Sequence, residues 1–228
     1  MKGKKRIVGL GATTIGILCF QILYYQLTVI ILQGIANRIT GLSNDCYLMI
    51  HHTVQFLLLF IPTILISKAL HIDFGYHIHQ WKKGLGWFGA GVVIELLVAL
   101  VIVIFYGFDG ISVGADTIIF QLFFSGLGEE IPYRALPLVI LPLVWGKELT
   151  AQIGAKYEMD IDVLISAVLF SIRHISFQFG HSGISYSWTQ LIVAFLIGVV
   201  LGKMYKRTNS IWACMIAHGI FNIIAVTL

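Results

Sequence analysis

The chain has 228 residues, 58% of them hydrophobic and 11% charged, with a net charge of +4. Soluble domains carry about 25% charged residues, so this balance excludes an ordinary soluble domain and describes an integral membrane protein. The positive charge reflects the topology derived below and calls for no nucleic-acid partner.

A helix crossing a hydrocarbon core ~30 Å thick needs about 20 mostly apolar residues. That ruler predicts seven spans, at 8–33, 47–67, 85–107, 117–145, 163–180, 187–202 and 209–227. They leave no room for a soluble domain, so the expectation is one all-α polytopic transmembrane bundle over 1–228. With the N-terminus inside, Lys2, Lys4, Lys5, Arg6, Lys68, Lys82, Lys83, Lys147, Lys156, Lys203, Lys206 and Arg207 all fall on the inner side. That is twelve of the 15 Lys and Arg, the bias the positive-inside rule requires. Of the rest, Arg38 lies in an outer loop, and Arg134 and Arg173 lie within spans.

The first span begins like a secretory signal peptide, but the run is long and shows no small-residue cleavage site. Leu18 before Cys19 also argues against a lipoprotein anchor, so this span is read as a retained helix. Cys19, Cys46 and Cys214 are scattered, which gives neither a disulfide framework nor a thiolate metal site. Trp81, Trp87, Trp145 and Tyr205 fall near span ends, as interface anchors do. His71, Asp73, His77 and His79 share an inner loop with Lys82 and Lys83 and are read as a headgroup-facing surface. His181, in a short outer loop, is assigned no role.

Ionisable groups at membrane depth are costly, and each is a functional hypothesis. Those here are Glu95, Glu129, Glu130, Arg134, Arg173, His174 and His218, with Asn222 as a neutral companion. In GLGEEIPYRA (126–135), residues four apart share a helix face, so Glu130 and Arg134 are neighbours in the favourable order. Glu129 is rotated about 140° from Arg134 and keeps an uncommitted carboxylate. Pro132 cannot donate to the Gly128 carbonyl and should bend the helix. Gly126 and Gly128 let another helix approach closely. Glu130 and Arg134 could simply lock the bundle, but a lock does not account for the second carboxylate.

Phe170 and His174 are four apart in the fifth span, so the ring can wall one side of the imidazole. Arg173 is expected to pair with a carboxylate, and Glu95 is the unclaimed candidate. His218 and Asn222 repeat the four-residue spacing in the last span. Each histidine alone could be a satisfied core residue or a polar clamp between helices. Counted from the span ends at ~1.5 Å per residue, however, Glu129, His174 and His218 all fall in the middle third of the bilayer, where they can meet.

In order, E-E-x-x-x-R at 129–134, F-x-x-x-H at 170–174 and H-x-x-x-N at 218–222 resemble the signature of the CPBP, or Abi, family of intramembrane proteases. That family includes the CAAX prenyl endopeptidases and the bacteriocin-processing or self-immunity proteins. The stretch 198–205, running through Asn209, Ser210 and Ile211 to His218, is also similar to the family, so 117–225 is expected to carry the catalytic core. Tyr133, Pro132 and Ala135 depart from the usual pattern without removing a polar group.

The resemblance implies that Glu129 and His174 activate a water and that His218 and Asn222 hold the oxyanion, with Glu130, Arg134 and Phe170 in support. Peptide hydrolysis needs such a base and such donors, and no serine or cysteine nucleophile stands out. Glu129, His174 and His218 are also a possible zinc ligand set. The chain has no H-E-x-x-H helix, so hydrolysis without a cofactor is the reading adopted and zinc the alternative. The expected partners are a peptide or membrane-protein substrate and the lipid bilayer. A bacterial plasma membrane and a role in peptide processing or bacteriocin self-immunity follow from the family analogy. The rival readings are a non-catalytic immunity or scaffold protein and a proton-coupled transporter.

Overall fold

Backbone N–H and C=O groups find no water in hydrocarbon and must be satisfied internally, so the long apolar runs become helices. The computed structural model describes residues 3–36, 41–78, 80–107, 113–146, 149–153, 157–178 and 183–227. Lys2, Arg38, His79, Lys147, Lys156 and His181 lie outside the described residues. Helix α1 spans Gly3–Ala36, α2 Asn44–Leu70 and α3 Leu85–Tyr106, the last entered through a 3₁₀ turn at Trp81–Gly84.

The fourth helical rod runs unbroken from 115 to 145 but changes pitch twice. It contains α4 (Ala115–Ile119), a π turn (Phe120–Phe124), α5 (Ser125–Glu130), a second π turn (Ile131–Ala135) and α6 (Leu136–Trp145). The second π turn surrounds Pro132, whose missing N–H would break a regular α ladder there. The β1–β2 hairpin (Thr150–Ile153 with Tyr157–Asp160) leads into α7 (Ile161–Arg173). A second hairpin, β3–β4 (Ser176–Gln178 with Gly183–Ser185), leads into α8 (Trp188–Thr208), and α9 (Ile211–Thr227) follows.

The molecule is an all-α membrane bundle. Ile7–Ile35, Asn44–Leu70, Trp81–Phe105 and Trp188–Thr208 are long and apolar enough to cross a bilayer. Their outward faces carry exposed side chains such as Leu23, Leu65 and Phe105. One expected span is corrected. The run 163–180 is not a single helix, because α7 stops after 13 residues at Arg173. At ~1.5 Å per residue that is about 20 Å, short of a full crossing. The last turn tightens to three-residue bonds, from the His174 N–H to the Ser171 carbonyl and from the Ile175 N–H to the Ile172 carbonyl. The chain then becomes extended and pairs with β4. That pairing, rather than apolar length, sets where the helix ends.

Glycine sets the position of α5, which lies between α2 and α9. A Cβ on Gly126 would stand 2.6 Å from the Met215 carbonyl oxygen on α9, and one on Gly128 2.6 Å from His52 Nδ1 on α2. On α9 itself, a Cβ on Gly219 would meet the Leu122 carbonyl oxygen at 2.3 Å. The first hairpin is tied to the bundle by charge, as Lys203 and Lys206 of α8 pair with Asp160, and Lys206 also pairs with Asp162.

Candidate active site

The close approach of α5 to α9 brings the acidic pair of one helix against the imidazole of the other. Glu130 and Arg134 are both fully buried. Arg134 Nε lies 3.5 Å from Glu130 Oε2, the ion pair expected from their spacing. Arg134 Nη1 also donates to the Tyr133 carbonyl at 3.1 Å. Glu130 has a second partner, because its Oε1 lies 2.8 Å from His218 Nδ1. The other ring nitrogen, Nε2, lies 3.9 Å from Glu129 Oε2. One histidine thus spans both carboxylates, tied to the buried one and turned toward the free one.

His174 sits at the cap of α7, where its backbone has left the helix. Its Nδ1 still lies 3.0 Å from the Phe170 carbonyl oxygen. With Nδ1–H donated there, Nε2 carries the lone pair on the other side of the ring. Phe170 organises the group. Its ring meets His174 edge-on at 5.0 Å and His218 edge-on at 5.6 Å, while the Arg134 guanidinium lies 4.2 Å from its centroid. Asn222 donates one amide hydrogen to Gln121 Oε1 at 3.0 Å and keeps a second.

Glu129, Phe170, His174, His218 and Asn222 line one cavity of about 690 Å³. Ser187, Thr189 and Gln190, at the start of α8, supply exposed polar groups to its wall. The expected pairing of Arg173 with Glu95 does not form. The Arg173 guanidinium stacks over the Tyr25 ring at 4.3 Å, in a separate pocket shared with Gln21 and Tyr133, whereas Glu95 lines the cavity. Tyr25 offers a nearer electron-rich surface, and α7 points Arg173 toward α1.

Like Ser187, Thr189 and Gln190, the cavity residues His52, Gln121 and Ser125 were not singled out from the sequence. His52 Nδ1 lies 3.2 Å from the Ser125 carbonyl oxygen. The signal available was the polar run His51, His52 and Gln55 within an apolar helix. At a nominal span end it resembled interface, and only the packing of α2 on α5 turns it inward. Among the described residues no three His, Cys, Asp or Glu side chains stand together as a metal-binding group.

The fold and the site together define an integral membrane protein whose carboxylates and imidazoles converge on an internal cavity. Residues 112–224 match the family model described as type II CAAX prenyl endopeptidase Rce1-like. Over that stretch, just under half of the chain, it is similar to that family, which implies a membrane protease, a hydrolase acting on peptide or protein substrates. No curated protein and no solved structure matches it. The matched stretch holds all the motif residues, while α1, α2 and α3 lie outside it.

Proposed function

We propose that the protein is an intramembrane endopeptidase in which Glu129 and His174 activate a water and His218 and Asn222 hold the oxyanion. The observation that carries this reading is that these four side chains, from three separate helices, line one cavity. The Glu129 carboxylate accepts one water proton while His174 Nε2 accepts a hydrogen bond from the other O–H. The water oxygen attacks the substrate carbonyl carbon and the C=O electrons move onto oxygen. The spare Asn222 amide hydrogen faces that charge, and His218, with Nδ1–H donated to Glu130, offers Nε2–H to it as an imidazolium. Collapse breaks the C–N bond, and the leaving amine takes the proton that Glu129 received. Atoms and charge balance without a further reactant.

The bond to Glu130 orients His218, and the Arg134 guanidinium compensates Glu130. These two support the site rather than touch the substrate. With the N-terminus inside, as the basic residues indicate, the Ser187–Gln190 side of the cavity faces outward and admits substrate from there. The bacterial plasma membrane and a role in peptide processing or bacteriocin self-immunity extend this reading by family resemblance.

The deciding experiment is Glu129→Ala, scored for peptide cleavage by the purified protein and for protection of cells at matched expression. Loss of both supports the proposal. Survival of cleavage removes Glu129 from the mechanism, and survival of protection alone points to a non-catalytic scaffold.

A further inference from the structure

One carboxylate in the cavity is used by nothing described so far. Glu95 is only 4% exposed and lines the cavity from α3. Among the described residues it has no hydrogen bond or ion pair. The other acids around the bundle interior are partnered: Glu130 by Arg134 and His218, Glu129 by His218, and Asp160 and Asp162 by lysines of α8. Its neighbours on the same helix face, at i+3, i+4 and i+7, are Val98, Ala99 and Ile102, and these also line the cavity. The α3 wall of the cavity is therefore an apolar stripe bearing one buried carboxylate with no ion pair among the described residues.

An unpaired carboxylate at membrane depth is costly, and a cation entering the cavity would relieve that cost. We propose that Glu95 is a cation-selecting subsite that takes a lysine or arginine side chain of the peptide beside the scissile bond. The apolar stripe would receive the methylene stem of such a side chain and Glu95 its charged head. This proposal rests on the endopeptidase reading of the cavity. It differs from a role as proton donor to the leaving amine, which every peptide would need equally, whereas a cation subsite acts only on peptides that carry the charge.

The test uses hydrophobic peptides of about 20 residues, identical except for one position scanned as Lys, Leu or Glu, and the purified full chain in lipid nanodiscs. Cleavage is read as the ratio of kcat/KM for Lys over Leu at each position. Binding is read separately, as the Kd ratio on the Glu129→Gln protein. The expected result is one position where Lys is favoured by about tenfold or more, the size of a desolvated charge pair. Glu95→Gln should bring that ratio to about one and Glu95→Asp should keep part of it, with thermal melts confirming that both variants fold. An equal fall for Lys and Leu peptides in Glu95→Gln overturns the proposal, as does a wild-type ratio near one at every position. If the wild type cleaves no peptide, the endopeptidase reading fails, and the Kd ratio still decides Glu95.

Discussion

His218 joins two adjacent carboxylates, with Nδ1 2.8 Å from Glu130 Oε1 and Nε2 3.9 Å from Glu129 Oε2. The two glutamates leave α5 in different directions because successive residues on a helix are about 100° apart. One points into protein beside Arg134, and the other lines the cavity. The imidazole of α9 fits between them because Gly126 lets the two backbones approach. Glu130 thereby does two jobs: it compensates Arg134 and it sets the ring that faces Glu129.

That double role makes Glu130→Gln costly in two measurable ways. It leaves the buried Arg134 guanidinium without its counter-charge, which destabilises by about 3–5 kcal/mol, and it loosens His218. The expected outcome is a large fall in Tm together with loss of cleavage. Combining Glu130→Gln with Arg134→Met should recover Tm but not activity. Recovery of both would show that His218 does not depend on Glu130.

Close helix approach gives a steric prediction. Gly126→Ala places a methyl 2.6 Å from the Met215 carbonyl oxygen, and Gly219→Ala places one 2.3 Å from that of Leu122. Backbone cannot yield as a flexible side chain does, so each change should destabilise by about 1–3 kcal/mol and separate Glu129 from His218. Gly11 and Gly16 have open space at the same position. Alanine there should leave Tm unchanged or slightly raised, since it is the better helix former. Thermal melts of the four variants check the contrast.

Phe170→Leu keeps an apolar side chain but removes the ring that touches His174, His218 and Arg134. With both imidazoles less constrained, kcat should fall about tenfold or more, because small misplacements of catalytic groups are costly. KM should change little. A drop in KM-weighted binding with unchanged kcat would assign the ring to substrate contact instead.

The first hairpin carries a pH prediction. Burial alone would raise the Asp160 carboxyl, but hydrogen bonds and charge from Lys203 and Lys206 outweigh it and hold the group below its ordinary 3.8. A depressed carboxylate contributes stability above its unfolded value and loses it as pH falls through the lower folded value. Asp160→Asn should therefore lower Tm by a constant amount from neutral pH down to about 5. The difference should shrink only below pH 3.8. High salt should also narrow it, since these groups are partly exposed.

Much of the bundle was legible in the chain because apolar length and helical spacing act locally. The Glu130–Arg134 pair, the Phe170–His174 contact and the division between the two glutamates all follow from i, i+4 geometry on one helix. The fifth span failed for the converse reason. Hydropathy sees 163–180 as one apolar run, whereas the tightened turn at His174 and the pairing of Ser176–Gln178 with Gly183–Ser185 end the helix. Arg173 likewise found Tyr25 on a helix far away in sequence, which no spacing rule anticipates.

The sequence by itself determined a membrane bundle and which of its ionisable groups pair within a turn, since those depend on composition and helical period. Only the tertiary structure decided that His218 spans both glutamates, that His52 turns inward and that Glu95 lines the cavity rather than meeting Arg173. Those relationships depend on how α2, α3, α5, α7 and α9 pack side by side. Packing is set by glycine contacts and ring geometry between residues far apart in the chain.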